Sequence, residues 1–85
     1  MGWQVRFIPD EVSSMSINCN GGHALDWNSS EGDVKKDVPA EWRELPHVHF
    51  YAAGSPNGRN AHCKILWNGQ ERRNMEFDNG EDWNS

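Results

Sequence analysis

The chain has 85 residues, a net charge of −5 and only 35% hydrophobic residues, among them five Trp and three Phe. That length gives one domain with a small core, and the acidity excludes a general nucleic-acid binder, which needs Lys and Arg to neutralise phosphates. No run is long enough to span a membrane, and residues 1–6 lack the basic start and apolar stretch of a secretory signal, so a cytoplasmic protein without a membrane partner is expected.

Residues 3–7 alternate apolar and polar and predict a first strand, ended by Pro9, which cannot donate to a central ladder. Residues 14–20 alternate in the same way and predict a second, and the intervening 9–13 are short enough for an antiparallel hairpin. Gly21 and Gly22 break that strand. Residues 23–27 admit a short strand and 28–33 have loop composition. Trp27 is expected to plug one end of the sheet.

Residues 37–46 predict a two-turn helix, with Asp37 as the cap, Pro39 in the first turn and Pro46 as the stop. Val38, Trp42 and Leu45 would share its buried face, leaving Glu41 and Glu44 in water. Residues 47–52, 62–67 and 70–77 carry strand periodicity, and Asn68-Gly69 between the last two is a strong type I′ hairpin signal. A three-strand meander over residues 47–77 is therefore the expected centre. The glycine-rich loop 53–60 lacks the residue order of a phosphate loop. Residues 78–85 have the composition of an acidic tail, frayed unless Trp83 docks. The expected fold is thus α+β, mostly β: an antiparallel sheet of four to five strands with one short helix, residues 1–77 forming the domain and 78–85 a tail.

Cys19 and Cys63 both fall on apolar strand faces and are expected as buried thiols. His47 and His49 share one strand face, with His23 and His62 as possible further ligands, which offers an alternative reading as a metal-binding module. No carboxylate stands at a diagnostic spacing beside them, and the expectation is no metal and no cofactor. Cys63 points away from His62, the serines lack a nucleophile elbow and the acids lie in polar runs, so an enzyme is not expected.

Charge is unevenly distributed. Residues 26–44 carry six acids against three bases, and residues 76–82 carry four acids and no base. These define two candidate protein-binding patches: Glu31, Asp33, Asp37, Glu41 and Glu44 with Trp42 as anchor, and Glu76, Asp78, Glu81 and Asp82 with Trp83. A partner with a basic surface is expected for either.

Two resemblances bear on function. Pro46-His47-Val48-His49 and Ala61-His62-Cys63-Lys64-Ile65-Leu66-Trp67 resemble the P-H-x-H strand and following hairpin of small bacterial proteins encoded near toxin–antitoxin genes. The profile of a short, acidic, aromatic-rich, cysteine-poor chain is similar to that of phage-encoded anti-CRISPR proteins, which share no common motif. That resemblance implies a non-enzymatic inhibitor of a CRISPR-Cas or other nucleic-acid-processing complex in the cytoplasm of a bacterial host.

Overall fold

A computed structural model describes residues 1–85. Eight strands, β1 (Trp3–Ile8), β2 (Ser14–Cys19), β3 (Gly22–Asn28), β4 (Val34–Asp37), β5 (His49–Ser55), β6 (Ala61–Trp67), β7 (Gln70–Phe77) and β8 (Gly80–Asn84), are accompanied by a single peripheral helical turn, α1 (Ala40–Arg43). They form two antiparallel four-stranded sheets, β4-β1-β6-β7 and β3-β2-β5-β8. Inward positions of both sheets meet in one core, with Trp3, Val5 and Phe7 of β1 and Cys63 and Ile65 of β6 facing Ile17, Cys19, Phe50 and Ala52. Each large apolar side chain so buried contributes about 1.5–3 kcal/mol, and no polar residue is buried among them.

The mostly β, antiparallel character is as expected, but the strands divide between two sheets. β1 and β2 do not form a hairpin, and neither do β5 and β6. Residues 9–13 and 56–60 each cross from one sheet to the other. Five residues close a hairpin or step across a sandwich equally well, and the apolar faces choose the second, because only facing sheets bury the inner side of both. The predicted meander therefore survives only as its β6–β7 hairpin.

The two halves of the chain repeat one plan. In each, the first strand crosses to a two-residue hairpin in the other sheet, and a fourth strand returns beside the first. Asn20-Gly21 joins β2 to β3 and Asn68-Gly69 joins β6 to β7. The four φ values are 52° and 80°, and 51° and 83°, all in the left-handed region that a type I′ turn requires. A register shift falls at Ile17/Asn18 in one hairpin and at Ile65/Leu66 in the other. The pseudo-two-fold relation exchanges the two sheets.

Two elements differ further from expectation. The helix is one turn, not two. Arg43 Nε donates to the Val38 carbonyl at 2.7 Å, and Trp42 lies half-buried over Gly22, but Leu45 is 41% exposed. So short a helix is held by those contacts and not by its own hydrogen bonds. Residues 78–85 are not a tail: β8 pairs with β5 from His49↔Asn84 to Ala53↔Gly80. Trp83 docks, its ring parallel to Phe50 (8° between planes) and edge-on to Trp3. The domain thus runs through residue 84.

Candidate functional site

The first predicted acidic set is strung along the β4 edge and does not form one patch. Glu31 ends a 3₁₀ turn, Ser29–Glu31, capped by Asn28. Its carboxylate accepts from Lys36 Nζ at 2.7 Å and from the Asn28 amide at 2.9 Å. Asp33 takes a two-pronged contact from Arg6, Nε at 2.9 Å and Nη2 at 2.7 Å. These donors hold both carboxyls below their ordinary values, Lys36 chiefly for Glu31 and Arg6 for Asp33. Asp37 accepts from Gln4 Nε2, and Glu44 lies 3.5 Å from the N-terminal ammonium. Glu41 and Glu44 belong to the helical turn and the residue after it, at the opposite end of the sandwich from Glu31 and Asp33.

The second set is divided between faces. Glu76 lies opposite His62 on the outside of β4-β1-β6-β7, Asp78 sits in the β7–β8 turn, and Asp82 lies outside the other sheet, 2.7 Å from His49 Nε2. Glu81 closes the seam between the sheets, 2.8 Å from Arg73. Neither predicted tryptophan anchor projects: Trp42 and Trp83 are both packed against the core.

The histidines are also dispersed. His47 lies in the bend before β5, His49 faces Asp82, His23 faces Asp26 at 3.1 Å, and His62 contacts Asn74 Oδ1. No three His, Cys, Asp or Glu side chains converge on a point where a metal ion would sit. Cys19 and Cys63 are buried free thiols, and burial raises them to about 11 and about 12. Neither supplies a thiolate nucleophile near neutral pH.

What the structure does bring together is an open groove on the outside of β3-β2-β5-β8. Cross-strand pairing sets Ser14 beside Asn28 and Ser55, and Ser16 beside Asp26 and Ala53, with Gly80 beyond Ala53. Such small outward side chains leave a depression of about 360 Å³ between β3 and β5, rimmed by Asp26, Asn28 and Glu31. The next row across the same face reads His23, Asn18, Tyr51, Asp82. No Lys or Arg occupies an outward position of these four strands. Lys36 Nζ reaches the rim from the seam, where it is committed to Glu31 and the Asp26 carbonyl at 2.8 Å. The surface is thus one of hydroxyls and carboxylates suited to receiving a cationic donor.

Sequence reasoning missed this face because Asp26 and Asp82 belong to different acidic runs, 56 positions apart by their residue numbers. The local signal was the alternation Ser14-Met15-Ser16, in which every outward position is small. No protein-family model, curated protein or solved structure matches the chain.

Proposed function

We propose that this protein is a non-enzymatic binding module that docks a basic protein surface against the outside of β3-β2-β5-β8. The observation that carries the reading is the groove between β3 and β5, where Asp26 and Glu31 flank a floor of serines. A side chain with a planar, charged fork satisfies a carboxylate in two hydrogen bonds, so a partner's arginine is the best-matched occupant. Tyr51, 36% exposed in the adjoining row, supplies an amphipathic ring of the kind that concentrates interface energy. Asp82 beyond it adds a rim charge, which speeds encounter more than it deepens affinity. Basic surfaces are characteristic of nucleic-acid-processing complexes, and inhibition of a CRISPR-Cas effector is the activity that the chain's anti-CRISPR-like profile supports.

The test is capture from a bacterial lysate on immobilised protein, with D26K/D82K as the subtraction and E76K on the opposite face as the control. Partners retained by wild type and E76K but lost by D26K/D82K are expected. Identical retention by all three would overturn the assignment of this face. Addition of the wild-type protein to DNA cleavage by purified CRISPR-Cas effectors then separates inhibition of such a complex from binding to another partner.

A further inference from the structure

The opposite face of the sandwich has the inverse character. On the outside of β4-β1-β6-β7, pairing sets Lys35, Arg6 and Lys64 side by side in one row that ends at Asn74. Directly paired side chains on neighbouring strands stand about 4.5–5.5 Å apart at Cβ, and like charges there repel. The fold does not demand bulk at these positions. The pseudo-two-fold relation maps the three cations onto Gly80, Ala53 and Ser16 of the other sheet, all small residues, and Asn74 onto Asp26. Three of the chain's eight Lys and Arg are therefore concentrated in one line of a protein whose net charge is −5.

Two of the three cations are held from the flanks. Asp33 grips Arg6, and Glu71 lies 2.9 Å from Lys64. Lys35 has no carboxylate within ion-pair distance and is exposed. A depression of about 420 Å³ opens over this group, lined by Arg6, Lys35, Lys64, Leu66 and the two carboxylates. We propose that the row Lys35–Arg6–Lys64 is a binding site for a compact dianion of the phosphate type, which displaces Asp33 and Glu71 from the cations as it enters.

The surroundings select that ligand class. The row above runs Asp37, Gln4, Leu66, Glu71, and the row below includes Ile8, His62, Glu76. Carboxylates thus border the cations on both sides, so a long polyanion following the face would meet repulsion beyond a single charged group. No aromatic side chain lies outward here to stack a base, which removes the usual partner of single-stranded nucleic acid. A phosphoryl group brings a charge of about −1.5 to −2 at neutral pH and three acceptor oxygens. That matches three adjacent donors better than one carboxylate does. This site is independent of the acidic groove and of what docks there.

The test is an NMR titration of the whole protein with inorganic phosphate, with sodium chloride holding the ionic strength constant. Saturable shifts at the amides of Arg6, Lys35 and Lys64 are expected. K35Q/K64Q should weaken binding by about tenfold or more, since each charge-assisted contact is worth more than a tenfold factor. D33N, which frees the Arg6 guanidinium, should tighten it several-fold. A phosphoserine peptide and its unphosphorylated twin then distinguish a phosphoryl group carried on polypeptide from the free anion. Shifts that chloride alone reproduces, or a K35Q/K64Q variant that titrates like wild type, would overturn the proposal. So would a D33N variant that loses thermal stability without gaining affinity, because the carboxylates would then be structural partners and not competitors.

Discussion

Asn20 and Asn68 make the same pair of bonds in the two halves of the chain. The Asn68 amide donates to the Gly2 carbonyl at 3.0 Å while its Oδ1 accepts from the Gly2 amide at 2.8 Å. Asn20 repeats this with His49, at 2.8 Å and 2.9 Å. Each hairpin asparagine therefore supplies a left-handed corner and also fixes the strand that starts beside it, β1 in one case and β5 in the other. Replacing either by Ala removes the side-chain acceptor and places a less tolerant residue at positive φ, at a cost of about 1–2 kcal/mol each. Replacement by Gly keeps the corner and should lose less. Urea unfolding separates the two contributions. Equal stability of Asn68→Ala and Asn68→Gly would show that the backbone corner contributes nothing.

Gly69 has φ +83° and open space around the direction of a side chain, with only Met1 Cε at 3.6 Å. Its substitution by Val is thus a test of backbone strain with little steric clash. A loss of about 1–3 kcal/mol is expected, measured by thermal melting. Gly21, at φ +80° with nothing within 4 Å, should respond alike, and a large difference between the two would break the equivalence of the hairpins.

Trp83 closes the core against Phe50 and Trp3 although it stands two positions before the last residue of the sequence. Truncating it to Ala opens that end of the sandwich and removes an aromatic contact, so a loss of about 2–3 kcal/mol is expected. For a domain of this size that lowers the Tm by about 10–20 °C. An unchanged Tm would restore residues 78–85 to the status of a tail.

The contrast between Trp83 and Asn68 shows what was legible in the chain. Asn68-Gly69 encodes its turn in two adjacent residues, and both flanking strands could be read from alternation in a short window. The alternation also marked Cys19 and Cys63 correctly as core. Which strands share a sheet is not local information. Val34 to Asp37 has two adjacent lysines and no strong period, and becomes a strand because β1 offers it an edge. Residues 80–84 read as acidic coil because Glu81 and Asp82 hide the one inward ring that matters. Both candidate surfaces depend on such long-range pairing. Arg6, Lys35 and Lys64 are one row only after β4 and β6 have settled on either side of β1.

Cys19 and Cys63 lie at zero exposure, and burial holds their thiols near 11 and 12. Alkylation requires the thiolate and access to it, so both should resist iodoacetamide at pH 8 in the native protein. Labelling should occur at the rate of opening, and in denaturant both should react together. Rapid native-state labelling of Cys63 would contradict the sealed core between β6 and β7.

Acid sensitivity should trace to Asp33 and Glu31, which titrate below their ordinary 3.8 and 4.5 in the folded protein. As pH falls, the unfolded chain takes up these two protons first, so protonation favours unfolding. Their stabilising contribution is complete above about pH 5 and is withdrawn as pH drops through each folded-state value. Both side chains are solvent-exposed, so the effect is small and shrinks further in high salt. Arg6→Gln separates the pair. Without the guanidinium, the Asp33 midpoint should rise toward its ordinary range, while Glu31 stays low because Lys36 and the Asn28 amide still hold it. Carboxyl-detected NMR from pH 2 to 6 reads both groups in one experiment, and an Asp33 midpoint unmoved by Arg6→Gln would refute the pairing that anchors β1 to the loop before β4.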